Sequence, residues 1–115
     1  MSERTDKARL IDMLAAAERI VAGLQGVDEE SFLVDMDKRD STVLRLQIIG
    51  EAAYHISDGL KSQYPEVEWF KIQGLRHKIV HDYYALDDRT IHHIAVDYVP
   101  PLAEQLKKII EAGEA

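Results

Sequence analysis

The chain has 115 residues, carries a net charge of −7 at neutral pH and contains no cysteine. This length suits one domain over residues 1–115, and the lack of cysteine excludes disulfides, thiolate metal ligands and a thiol nucleophile. The acidic balance argues against a broad surface that coats nucleic acid, although a small basic cleft stays compatible with it.

The first helix is predicted over residues 5–24, where apolar residues recur at three- and four-residue spacing. Thr5 or Asp6 suits its N-cap, and Gly26 suits its end. The charged N-terminus lacks the apolar core of a signal peptide, and no apolar run approaches the roughly 20 residues of a membrane span. We therefore expect a cytoplasmic protein with no membrane partner.

A brief helix over residues 31–34 and a long helix over residues 41–60 are predicted next. Asp40 or Ser41 is the expected cap of the long helix. Small residues in its second half, among them Gly50, would let another helix approach closely.

Tyr64-Pro65 then ends the helical pattern, because proline disfavours helix at the residue before it. Residues 66–70 are predicted to form a tight turn with Trp69 and Phe70 directed inward, more typical of core residues than of a stacking platform.

The next helix is predicted over about residues 71–84, and Asp87 would cap the helix that follows it. Pro100 and Pro101 predict a break or kink near Val99. No segment alternates at period two for long enough to indicate a strand. The expected fold is an all-α bundle of four to five helices.

The segment of residues 74–87 concentrates the chemically active side chains. On a helix, Arg76 and Tyr83 lie nearly in line, and His77 and His81 share a neighbouring face. Arg76 and His81 are five positions apart and therefore point about 140° away from each other. A long arginine side chain can still bend toward a cleft that the histidine lines.

Three interpretations of these residues compete. In a metal-free ribonuclease site, a histidine would move protons near neutral pH and an arginine would bind phosphate oxygens in pairs. In a metal site, His77 and His81 would clamp one ion, but Lys78 stands where the zinc-protease motif has glutamate, and no third ligand is evident. In a structural role, these side chains would only form hydrogen bonds between helices.

Other polar residues fit solvent-exposed roles. Glu51 is typical of a solvated or supporting acid rather than a catalytic one, and Asp82 of a surface acid. His55, His92 and His93 are expected to be exposed.

Residues 76–83 have the form R-x4-H-x-Y, which resembles the signature of the HepT-like proteins in the HEPN superfamily of toxin ribonucleases. The similarity extends in order over about residues 6–110. It includes the stretches Ile48–Ala53, Tyr64-Pro65 with Trp69, Gly74-Leu75, Tyr84–Asp87 and Val99–Leu102.

The resemblance implies that Arg76 and His81 are the catalytic pair of a metal-independent endoribonuclease that needs no cofactor. His77, which occupies a position where the family often has Asn, Asp or His, and Lys78 beside it would support the site or orient the phosphate. The family further implies an all-α homodimer whose signature helices share one cleft.

The resemblance also implies a type VII-like toxin–antitoxin pair. Tyr83 matches the tyrosine that a nucleotidyltransferase-type antitoxin modifies with AMP, which would place negative charge beside Arg76 and repel RNA. The alternative is a non-catalytic helical dimer that binds a nucleotide or a nucleotidyltransferase partner through the same cleft.

Overall fold

A computed structural model describes residues 5–82 and 87–114, and all regular structure within these ranges is helical. Four long helical rods form the body, and two short helices connect them. The elements are α1 Asp6–Gly23, α2 Glu29–Leu33, α3 Met36–His55, α4 Asp58–Gln63, α5 Trp69–Asp82, α6 Asp88–His93, a π-helical turn Ile94–Tyr98 and α7 Val99–Glu114.

The core lies between α1, α3, α5 and the rod formed by α6, the π-helical turn and α7. Helix α3 packs against both α1 and α5, and α7 closes the other side of α1. The contacts are mostly aliphatic, with Phe32 and Met13 fully buried. This arrangement confirms the predicted all-α bundle.

Side-chain caps set where several helices begin. Thr5 accepts a hydrogen bond from the Ala8 N–H at 3.1 Å, and Asp87 accepts one from the Arg89 N–H at 3.1 Å. Both residues were predicted caps, and each satisfies a backbone donor that the first helical turn leaves unpaired.

The predicted bounds of the long second helix were wrong at both ends. Helix α3 begins at Met36 because Asp35, rather than Asp40 or Ser41, accepts from the Lys38 N–H at 3.1 Å. It ends at His55, where the backbone turns extended at Ile56.

Leu60 therefore lies in a separate helix, α4. Ser57 caps α4 by accepting from the Leu60 N–H at 3.3 Å. Asp6 of α1 fixes Ser57 in turn, accepting hydrogen bonds from its backbone N–H at 3.0 Å and from its hydroxyl at 2.5 Å. This contact ties the end of α3 to the start of α1.

The prolines of the last rod are accommodated by a π-helical turn rather than by a break. The Val99 N–H donates to the carbonyl of Ile94, five residues back, and Val99 keeps right-handed helical dihedrals. Since Pro100 and Pro101 have no N–H to donate, widening the preceding turn lets the chain continue as α7.

Phe70 does not point inward as predicted. Helix α5 begins at Trp69, so the two aromatic residues stand about 100° apart on its surface. Trp69 is 5% exposed and its indole N–H donates to the Tyr64 carbonyl at 2.9 Å, whereas Phe70 is 88% exposed. The expectation was therefore right for Trp69 and wrong for Phe70.

His92 was expected to be exposed, but it is 8% exposed. Its Nε2 lies 3.1 Å from the Val27 carbonyl oxygen, and its ring lies 5.2 Å from that of Phe32. The residue is buried because α2 covers this side of α6. His55 and His93 are exposed, as expected. No helix in the described part of the chain is long and apolar enough to cross a membrane.

Candidate active site

The backbone and Cβ of Arg76 pack closely against Gly50 of α3. A Cβ atom at position 50 would lie 2.8 Å from the Arg76 Cβ and 3.0 Å from both the Arg76 nitrogen and the Ile72 carbonyl oxygen. Real Cβ atoms do not approach so closely, so only glycine permits this crossing of α3 and α5. The predicted close approach at Gly50 is confirmed, and it fixes where the arginine leaves its helix.

Glu51, the next residue of α3, pairs with the arginine side chain. The Arg76 Nε–H donates to Oε2 of Glu51, while the other carboxylate oxygen, Oε1, lies 3.1 Å from Nε2 of His55. The hydrogen bond from Arg76, supported by the one from His55, holds the pKa of the Glu51 carboxyl below its ordinary value. The carboxylate therefore stays charged and can anchor the guanidinium at neutral pH.

Tyr54 completes this group, which we call the Arg76 cluster: Glu51, Tyr54, His55 and Arg76. The guanidinium carbon of Arg76 lies 4.7 Å from the centre of the Tyr54 ring, a cation–π distance. The His55 ring stands nearly perpendicular to the same tyrosine ring, and the ring centres are 5.1 Å apart. The arginine is thus constrained from two sides by residues of α3.

The hydrogen bond from Arg76 to Glu51 uses only one of the three guanidinium nitrogens. The guanidinium uses Nε toward Glu51, and no hydrogen bond within residues 5–82 and 87–114 occupies its two terminal nitrogens. The side chain is about one-third exposed. An arginine held through Nε presents two N–H donors side by side, which matches two oxygens of one phosphate.

His77 and His81 form a second group on α5. Their rings lie 4.3 Å apart at an angle of 45°, and both residues are exposed, as is Lys78 between them. Helical geometry directs His81 about 140° away from Arg76 and about 7.5 Å further along the axis. A single chain therefore brings the two histidines together but leaves the predicted pair Arg76 and His81 on different faces.

The predicted modification site, Tyr83, lies outside the described residues. A metal site was only a competing interpretation of His77 and His81, and among the described residues no group of three or more histidine, aspartate or glutamate residues is arranged to hold a metal ion.

Sequence reasoning missed the roles of Tyr54 and His55 and gave Glu51 only a general supporting role. Tyr54 and His55 lie three and four residues after Glu51 along α3, which places both beside Glu51 on the helix surface. The available signal was that this group begins directly after Gly50, the residue predicted to admit a neighbouring helix.

Comparison with known proteins places the chain in a family. Residues 13–109 match the family model described as "Ribonuclease HepT-like". The chain is 29% identical over 107 residues to "Putative RNase MJ1380" of Methanocaldococcus jannaschii, covering 93% of this chain and 98% of that protein.

Two further relatives are also matched over nearly their whole length. The chain is 28% identical over 111 residues to "Putative RNase MJ0125" of M. jannaschii, covering 96% of each chain. It is 29% identical over 107 residues to "Probable ribonuclease HepT" of Thermococcus cleftensis, covering 93% of this chain and 97% of that protein. No solved structure matches the chain significantly. Since the family model spans most of its length, the chain belongs to the HepT-like ribonuclease family.

Proposed function

We propose that residues 1–115 form one HepT-like helical domain that cleaves RNA without a metal ion. The observation that carries this proposal is Arg76, which is anchored through Nε to Glu51, remains about one-third exposed and lies on the same helix as the exposed histidines. The names of the relatives support RNA as the substrate.

The chemistry requires one proton acceptor, one proton donor and one cation. The RNA 2′-hydroxyl loses its proton as its oxygen bonds to the adjacent phosphorus, and the 5′-oxygen leaves with a proton, giving a 2′,3′-cyclic phosphate. His81 accepts the proton of the 2′-hydroxyl and returns it to the leaving 5′-oxygen, a role for which a histidine side chain is suited. Arg76 binds the phosphate oxygens as negative charge builds on them. His77 and Lys78 lie beside His81 and would orient the phosphate.

A homodimer would bring Arg76 and His81 into one site, which a single protomer does not do. Because Arg76 and His81 face different directions on α5, two copies of α5 meeting in one cleft would let the arginine of one protomer serve the histidine of the other. Mixing two inactive variants, Arg76→Ala and His81→Ala, tests this arrangement. Mixed dimers of a shared cleft regain one intact pair and therefore activity, whereas a site built within one protomer stays inactive in the mixture.

Regulation by a nucleotidyltransferase-type antitoxin is the second part of the proposal, which makes the chain the toxin of a type VII-like pair. AMP on Tyr83 would add a phosphate charge close to Arg76 in sequence and repel the substrate. Co-incubation with the antitoxin and ATP should add AMP mass to the parent but not to Tyr83→Phe. The same mass increase on Tyr83→Phe would refute this modification site.

A non-catalytic binding module is the competing function, and the divergence of Arg76 and His81 within one chain favours it. Purified protein incubated with RNA in EDTA separates the two. Products that end in 2′,3′-cyclic phosphate support the metal-free enzyme. Activity that is lost in EDTA and restored by zinc favours a metal site at His77 and His81, and RNA binding without cleavage favours the module.

A further inference from the structure

Phe70 is the most exposed large apolar residue in the described part of the chain, at 88% of its surface. It occupies the outer face of α5 in line with Gly74, His77 and His81, which follow it at steps of four, three and four residues. The exposed aromatic ring therefore lies on the same helical stripe as the histidine pair.

The stripe is open between the ring and the histidines. A Cβ atom at Gly74 would meet nothing within 4 Å, so no side chain of the described residues fills the space directly above this turn. Phe70 and His77 are two helical turns apart, about 10.5 Å along the axis. That length corresponds to about three stacked nucleotides at about 3.4 Å each.

The charge around this stripe differs from that of the whole protein. Helix α5 carries three cations, Lys71, Arg76 and Lys78, against one acid, Asp82, although the chain as a whole has a net charge of −7. Lys71 is 81% exposed and pairs with Glu68 at 2.7 Å, while Lys78 is also exposed. Positive charge beside an aromatic face is the combination that binds single-stranded nucleic acid.

We propose that Phe70 is a stacking platform for an unpaired base of the RNA, a few nucleotides from the phosphate that is cleaved. The inference rests on the proposed ribonuclease function and adds a substrate feature to it: the RNA must be single-stranded where it crosses α5. A base within a duplex has both faces covered by its neighbours and cannot stack on the ring.

A protein partner fits this surface less well than RNA does. Protein interfaces need a contiguous apolar patch with few charges at its centre. The residues in line with Phe70 are glycine and histidine, and lysines flank them.

The test measures how tightly the parent and its variants bind a single-stranded RNA of about eight nucleotides, a length within the usual site size of proteins that bind single strands. The RNA carries 2′-O-methyl groups, which remove the attacking hydroxyl and prevent cleavage. Phe70→Leu keeps an apolar side chain without an aromatic face, and Phe70→Trp keeps the face. Val34→Ala is the control, because Val34 is also an exposed apolar residue, at 83%, but lies between α2 and α3.

Phe70→Leu should weaken binding about five- to hundredfold, the range expected for loss of one base–aromatic stack. Phe70→Trp and Val34→Ala should bind like the parent, and a duplex of the same sequence should bind the parent and Phe70→Leu equally. Helicity by circular dichroism should not change, since the ring is exposed.

Equal binding of single-stranded RNA by the parent and Phe70→Leu would overturn the stacking platform while leaving the ribonuclease intact. A Phe70→Leu protein that binds RNA normally but loses self-association would assign the ring to a protein contact instead. A parent that neither binds nor cleaves RNA would overturn the proposed function together with this inference.

Discussion

The Glu51 carboxylate of α3 accepts a hydrogen bond from Nε of Arg76 on α5, and this contact sets the direction of the guanidinium. The neighbouring residue Gly50 brings the two helices close enough for the pair to form. The Tyr54 ring packs against the guanidinium and further restricts its position. The orientation of Arg76 is thus a property of helix packing, and it is present before RNA binds.

Replacing Glu51 should slow RNA cleavage because Arg76 loses its anchor. Glu51→Ala is expected to lower kcat about tenfold, toward the small end of the ~1.5–3 kcal/mol range for hydrogen bonds to charged groups, since the pair is partly exposed. Glu51→Gln keeps an acceptor for Nε and should lose less. The control is Glu104→Ala, which removes another surface acid, one that pairs with Lys107.

Initial rates over a range of RNA concentrations separate kcat from KM. An unchanged kcat in Glu51→Ala would show that Arg76 does not need the carboxylate for orientation. A kcat that rises in both Glu51→Ala and Glu51→Gln would show that Glu51 acts mainly by repelling the phosphate.

The same ion pair should make stability depend on acidic pH. The pKa of Glu51 is lowered in the folded chain, chiefly by the hydrogen bond from Arg76. A lowered folded pKa contributes stability above the unfolded value of about 4.3, and this contribution is lost as the pH falls toward the folded pKa. Because the side chains of Arg76 and Glu51 are 34% and 48% exposed, we expect the pair to contribute less than about 1 kcal/mol to the free energy of unfolding.

Urea unfolding of the parent and Glu51→Gln at several pH values measures this contribution. The parent should be slightly more stable at pH 6, and the two curves should converge as the pH is lowered through the folded pKa. A difference that persists unchanged at the lowest pH would have another origin than the charge of Glu51.

Gly50→Ala should destabilise the fold and disturb the site together. The added methyl group would lie 2.8 Å from the Arg76 Cβ and 3.0 Å from backbone atoms of α5, so the helices must separate. Overpacking of this kind costs about 1–3 kcal/mol in the free energy of unfolding. Gly59→Ala is a matched control, because a Cβ atom there meets nothing within 4 Å.

Thermal or urea unfolding of both glycine variants checks this prediction. Gly59→Ala should be neutral or slightly stabilising, since alanine favours helix over glycine. Equal stability of Gly50→Ala and the parent would mean that α3 and α5 can move apart without cost.

The sequence predicted the helical bundle well because the apolar spacing and the caps Thr5 and Asp87 act locally, and because a small residue such as Gly50 by itself indicates where another helix can approach. It failed where a contact between distant segments decided the outcome. Asp6 accepts a hydrogen bond from Ser57 at the start of α4, and the carbonyl oxygen of Val27 lies within hydrogen-bond distance of the His92 ring. Neither contact leaves a periodic signal.

For the candidate site too, the features set by local sequence were predicted and those set by distant contacts were not. The helix that carries the candidate site, and the position of His77 and His81 on one face of it, followed from residue types and spacing. The partner of Arg76 did not, since several acids of the chain could have supplied the carboxylate. Phe70 was misplaced because its burial depends on where α5 begins, and a shift of one residue turns a side chain by about 100°.

The most direct test of the proposed enzyme is cleavage of RNA in EDTA by the parent and His81→Ala, using protein whose intact mass shows an unmodified Tyr83. His93→Ala is the matched control, because His93 is also an exposed histidine and pairs with Asp97 on the last rod. The parent and His93→Ala should cleave and leave 2′,3′-cyclic phosphate ends, whereas His81→Ala should be inactive with normal helicity. Undiminished cleavage by His81→Ala would contradict the proposed mechanism.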